Sequence, residues 1–273
     1  HLVRRSAASD GFKSQLQKQR REKEKEIEKD GGDTPYPSWD TLREEDKEEA
    51  PSVFLEVKDA NGEVVRRVKA PTSKGLHRVA WDMHYPSSAP VSLKPPSGYI
   101  PPWAIPPKGP IALPGEYTVT LKKRQFGKVS ELSEPQSFTL KLLNNSEEIT
   151  QDRAGLLAIQ QRAANLYRSV RGASKAQGEL KNRIMHLSAA IDLTPSDTED
   201  DAQAVRALKE RLAQLSLLLN GDATVRARHE PVPWSVAGRT SSLYFAISGS
   251  QKAVSGNHLA SLDIAEAEYT RVA

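Results

Sequence analysis

From Leu156 to Ile191 an apolar or small residue returns at strictly alternating steps of three and four. The positions are Leu156, Ile159, Ala163, Leu166, Val170, Ala173, Gln177, Leu180, Ile184, Leu187 and Ile191, and only Gln177 is polar. A spacing that averages 3.5 keeps one face of an α-helix apolar over many turns, which neither a strand nor a loop can do. The pattern predicts one helix over about 150–192. Gly172 and Gly178 fall off the apolar seam. Each weakens the helix by about 1 kcal/mol without interrupting its packing. A helix of this length gains its stability from neighbours that cover the seam.

Neighbours follow directly. Thr194-Pro195 stops the first helix, and Ser196 with Glu199 has the form of a capping box that opens a second. Val205, Leu208, Leu212, Leu215 and Leu219 make its seam, and Asn220-Gly221-Asp222 ends it. "EPVPW" reads as a bend. A third helix holds Val236, Leu243 and Ile247. A fourth, from about 255, holds Leu259, Leu262, Ala265, Tyr269 and Val272. Four amphipathic segments with short links predict an up-and-down four-helix bundle over 144–273. The last helix is still in phase at Ala273, and the chain starts at His1 rather than Met. The expectation is a processed or clipped piece of a larger protein whose last helix is truncated.

The first half has a different period. "SVFLEVKDANGEVVRRVKA" contains two alternating runs joined by an Asn61-Gly62 turn, a strong hairpin signal. "LHRVAWD", Tyr117–Leu121 and Gln136–Leu142 alternate too, with a turn near Phe126-Gly127. Strands without intervening helices predict a small antiparallel sandwich of immunoglobulin or fibronectin type III character over 51–143, with Trp81 and Tyr117 inward. The fold class is thus α+β, sheet first and helices second. Residues 1–50 form a charged arm in which Arg20 and Glu24 are spaced to pair along an exposed helix. With 273 residues, two domains are expected rather than one.

Composition closes off several functions. There is no Cys, which excludes thiolate nucleophiles, disulfides and Cys-based zinc sites. The net charge of +4 comes from 39 basic and 35 acidic residues interspersed along the chain, so there is no one-signed stripe for nucleic acid. No run is apolar enough to span a membrane. The six histidines (His1, His77, His84, His186, His229, His258) include no His-Glu-x-x-His and no pair at helical spacing. His77 and His84 lie seven residues apart, on opposite faces of a regular strand. A Gly-x-Ser-x-Gly elbow and a Gly-rich phosphate loop are both missing. Asp59 and Asn61 belong to a turn, because no Glu stands at the twelfth position of a calcium loop. No catalytic, cofactor-binding or metal-ligating residue is assigned.

Two segments combine aromatics with proline. Tyr36 and Trp39 stand among Pro35 and Pro37, and the stretch 86–114 carries ten prolines together with Tyr99, Ile100 and Trp103. Proline restricts the unfolded chain, so presenting these aromatics to a partner costs little ordering entropy. The alternative is that the loop folds back and buries Trp103 on its own sheet. Tyr36, Trp39, Tyr99, Ile100 and Trp103 are the candidate partner contacts.

"VFLEVKDANGEVVRRVKAPTSKGLHRVAWDMHYP", "GPIALPGEYTVTL", "PQSFTLKLL" and "HEPVPWSVAGRTSSLYF" resemble the region that follows the β-propeller in bacterial sortilin-like, BNR-repeat proteins, often labelled glycosyl hydrolases. The most specific runs are Gly75 to Trp81-Asp82 with Tyr85-Pro86, and Pro114-Gly115-x-Tyr117-Thr118-Val119. The resemblance implies a sandwich and a helical region without the propeller, and an extracytoplasmic location. It implies contacts with the chain's own propeller or with neighbouring subunits, or with a glycan. The hydrolase label attaches to the propeller, so no catalytic residue carries over and no cofactor is implied.

Overall fold

The computed structural model describes residues 15–91, 99, 101, 108–142, 149–196 and 198–272. They group into two compact units: residues 1–81 with 115–140, and residues 82–114 with 141–273. The proline-rich stretch, although inserted between strands in sequence, clusters with the helices.

The first unit holds α1 (Gln15–Lys29), α2 (Trp39–Lys47) and five strands, β1 (Ser52–Asp59), β2 (Val64–Ala70), β3 (Gly115–Gln125), β4 (Lys128–Glu131) and β5 (Gln136–Leu140). They form one antiparallel sheet in the order β2-β1-β3. β5 and β4 take successive segments of the far edge of β3. The predicted hairpin is present. Asp59 Oδ1 accepts from the Asn61 and Glu63 amides, and Gly62 takes a φ of 83° that disfavours other residues. Phe126 and Gly127, both at positive φ, turn β3 into β4. The register puts Val57 beside Val119, and Tyr117 beside both Asp59 and Phe138, so these side chains share one face. Trp81 packs edge-to-face on that surface, 5.6 Å from the Tyr117 ring centroid and 6.3 Å from that of Phe138. Tyr117 is buried and Trp81 half-buried.

The run ending in Trp81 thus approaches the sheet face. It does not add to an edge: residues 76–82 form no strand, and Leu76 is fully exposed. Among the described residues there is one sheet, without the second layer of a sandwich.

The opposite face carries a charge ladder. Glu56 is buried between Arg67 on β2 and Lys122 on β3, at 2.8 Å from each, and Lys122 also reaches Glu131 on β4 at 2.9 Å. Burial pushes the Glu56 carboxyl up, but the hydrogen bonds from Lys122 and Arg67 outweigh it. The carboxyl ends below its ordinary value. In the arm, Arg20 pairs with Glu24 at 2.6 Å as the spacing predicts, and it also grips both oxygens of Glu45 at 2.6 and 3.1 Å. That clamp docks α1 on α2.

The second unit holds α3 (Arg153–Asp192), α4 (Glu199–Asn220), the single turn α5 (Ala223–Arg226), α6 (Val236–Ile247) and α7 (Gly256–Thr270). α3 runs its 40 residues without a break at either glycine. Ala163, Leu166 and Val170 pack with Leu219, Val236, Leu243, Ile247, Leu262 and Ala265 into the core of the unit. Gln160, also buried, donates from Nε2 to the carbonyls of Ile247 and Ser250, each at 2.8 Å, tying α3 to the end of α6. Asp152, Ser235 and Ser255 cap α3, α6 and α7. The predicted capping box of α4 does not form. Thr198 holds the cap position without a side-chain bond, which makes Glu199 the first helical residue instead of the third. Glu199, Asp200 and Asp201 in the first turn face the helix dipole favourably instead.

The proline-rich stretch is closed at its base. The Tyr85 amide donates to Pro110 O at 2.8 Å, the Gly109 amide to Tyr85 O at 3.1 Å and the Ala112 amide to Met83 O at 2.7 Å. Met83 takes a φ of 59°, and a Cβ on Gly109 would lie 2.4 Å from Pro86 O. The stem closes only around a glycine. The Tyr244 hydroxyl on α6 donates to Lys108 O at 3.3 Å, so the stem rests on the helices.

Four outcomes follow from this packing. Trp81→Ala removes a half-buried indole and its two aromatic contacts, and is expected to destabilise the first unit by about 2–3 kcal/mol in urea denaturation. Because Glu56 has a lowered folded-state pKa, its contribution is present above the ordinary glutamate value and is lost as pH falls through the folded value. The urea midpoint should therefore drop below about pH 4.5, and Glu56→Gln should flatten part of that drop. Gly109→Ala forces the stem open and should cost about 1–3 kcal/mol in urea denaturation of the second unit. Gly178→Ala, where nothing lies within 4 Å of the added carbon, should be neutral or stabilising by up to about 1 kcal/mol.

Candidate interaction surfaces

Pro35 and Pro37 hold the chain before α2 extended, and Ser38 then caps the helix by accepting from the Thr41 amide at 3.2 Å. This geometry projects Tyr36 and Trp39 together into solvent. Their ring centroids are 6.2 Å apart at 63°, and the residues are 77% and 69% exposed. An edge-to-face aromatic pair standing on a capped helix start is a rigid apolar knob. Large exposed aromatics of this kind carry most of the energy in interfaces that use them. Tyr99 is 79% exposed. Ile100 and Trp103 lie outside the described residues. Tyr36 and Trp39 belong to the first unit and Tyr99 to the second.

Two further aromatics in the second unit escape the sequence reading. Trp234 is mostly exposed, and it borders a cavity of about 410 Å³ with Leu218, Asp222, Glu268 and Arg271. Its local sequence, Pro231-x-Pro233-Trp234, has the same proline–aromatic make-up as Pro35-Tyr36-Pro37-x-Trp39, which was the available signal. Phe245 is exposed on α6 beside Tyr167 and Tyr244, which stack at 4.3 Å and 8°. Phe245 meets both rings edge-to-face, at 5.9 Å from Tyr167 and 5.4 Å from Tyr244.

The polar groups near these aromatics are committed to structure. Asp222 accepts from the Thr224 and Val225 amides at the start of α5, and Glu268 pairs with Arg239 at 3.2 Å. His77 donates from Nε2 to Ser73 O at 2.7 Å, and His84 from Nδ1 to Asp82 O at 2.6 Å. Among the described residues no three His, Asp or Glu side chains are grouped to hold a metal ion. The displaced carboxylates are Glu56 in its ladder and Glu45, which the Arg20 hydrogen bonds hold below the ordinary range. Both sit in ion pairs within the fold, not in a cleft where a shifted acid or base would meet substrate. No helix among the described residues is long and apolar enough to cross a membrane.

Comparison of the chain with protein-family models, with curated proteins and with solved structures finds no match.

Proposed function

We propose that this chain is a non-catalytic interaction module of an extracytoplasmic bacterial protein of the sortilin-like, BNR-repeat type. In this reading the five-stranded sheet is the core of an immunoglobulin-like module, and α3, α4, α6 and α7 are its companion helical bundle. The module holds the parent's β-propeller or a neighbouring subunit in place. The observation that carries the reading is the Tyr36–Trp39 knob, an aromatic pair exposed to water at the start of α2. Burying two such rings against a partner removes about 150–250 Å² of surface per ring. Tyr99 supplies a second contact of the same kind on the proline-rich stretch. The charged face of α1 contributes little, since exposed ion pairs are worth about 0–1 kcal/mol each.

Hydroxyl-radical footprinting of the isolated chain and of the native polypeptide that contains it tests the reading. Tyr36 and Trp39 should be oxidised rapidly in the isolated chain and severalfold more slowly in the native assembly, while Leu76 changes little. Equal rates at both aromatics would overturn the proposal. Protection by soluble polysaccharide, with none from the propeller, would assign the knob to glycan binding instead.

A further inference from the structure

The core of the second unit uses only the proximal part of α3. Its residues there run from Ile159 to Ala173, and α4 contributes Leu219 near its end. No residue of α3 beyond Ala173 belongs to that core; there 177–192 packs along 199–215 of α4 as a two-helix hairpin, with Ile184 and Val205 both buried. One flank of this hairpin is a groove lined by Lys181 and Met185 of α3 and by Lys209 and Ala213 of α4. Helical periodicity puts Leu180 and Leu187, and Leu208 and Leu215, on the other flank. These four leucines are between 41% and 50% exposed.

Their spacing is self-complementary. In each helix the two leucines are seven residues apart. The midpoint on α3 falls between Arg183 and Ile184, and that on α4 between Arg211 and Leu212. Asn220 fixes the antiparallel register, donating to Gln177 Oε1 at 2.9 Å and accepting from Ser174 Oγ at 3.3 Å. Carried along the hairpin, that register sets the two midpoints at one height, within about one residue or 1.5 Å. A twofold axis across the hairpin at this height lays Leu180 on Leu187 of a second copy and Leu208 on Leu215, each pair twice, for four leucine contacts in all. A foreign helix would require no such coincidence. The hairpin face is about 24 Å long and 20 Å wide. Two copies would bury about 1,000 Å² in total, the lower end for a specific interface.

We propose that the chain self-associates through this leucine face, two hairpins packing antiparallel into a four-helix arrangement. The area makes the dimer weak and concentration-dependent, with a Kd on the order of 100 µM. Arg183 and Arg211 stand beside the axis, so each meets its own copy, and added salt strengthens the association by screening them. The surface is separate in residues from Tyr36 and Trp39, so its test does not depend on the preceding proposal.

Sedimentation equilibrium of the full chain, from about 5 µM to about 500 µM, should show mass rising from 30.1 kDa toward twice that value. The dimer fraction should increase between low and high salt. Leu187→Glu should hold the chain monomeric with its helical circular dichroism intact. The chain has no cysteine, so Arg183→Cys gives a clean second readout. A residue beside the axis forms a disulfide with its own copy on oxidation, whereas Lys209→Cys, on the groove flank, does not. A monomer at every concentration, a dimer unaffected by Leu187→Glu, or equal cross-linking at positions 183 and 209 would each overturn the proposal.

Discussion

The helical unit depends on one line of contact, the proximal seam of α3. Ala163, Leu166 and Val170 are buried there against side chains from α4, α6 and α7. Removing that surface from water is worth about 25 cal/mol per Å², and α6, which also touches α4 and α7, packs on the same seam. The seam also sets where the rest can go. Gln160, one turn before the buried stripe, satisfies the carbonyls at the end of α6. Tyr244 of α6 then reaches the stem of the proline-rich stretch. The stem of the proline-rich stretch is positioned through this chain of contacts.

The sheet solves a different problem. A single layer has two faces to protect. One is protected by aromatic packing, with Trp81 laid across Tyr117 and Phe138. The other is protected by charge, with Arg67, Glu56, Lys122 and Glu131 linked across four strands. A buried carboxylate is tolerated because two cations hydrogen-bond to it, and removing both would leave an uncompensated charge. The same logic, at smaller scale, joins the arm helices through Arg20 and Glu45.

Features with a period were legible in the sequence. The unbroken α3, the Asn61-Gly62 hairpin and the contact of Trp81 with Tyr117 all follow from spacing and turn chemistry. Features without one were not. β4 reads "KVSE", entirely exposed, and pairs only because the Phe126-Gly127 turn folds it back on β3. The Arg20–Glu45 clamp joins residues 25 apart, a separation that leaves no mark on either helix. Residues 76–82 alternate like a strand, yet the alternation serves a side chain lying on a sheet face, which a pattern cannot tell from an edge. Of the candidate contacts, Tyr36, Trp39 and Tyr99 are exposed in the structure, and proline content alone does not distinguish such exposure from a segment folded back onto its own surface. The same proline–aromatic make-up at Trp234 reads as a bend in the sequence, since Pro231 and Pro233 stand in the link between two helical runs.

Native-state amide hydrogen exchange along α3 tests the central claim that one continuous helix organises the second unit. Amides from Ala163 to Val170 should be the most protected in the chain, exchanging only through global unfolding. Protection should continue across Gly172 and Gly178 to Ile191 at a lower level, since that part of α3 lies outside the core. Exchange at the rate of unstructured peptide beginning at either glycine would show that the helix is broken there, and would contradict the account.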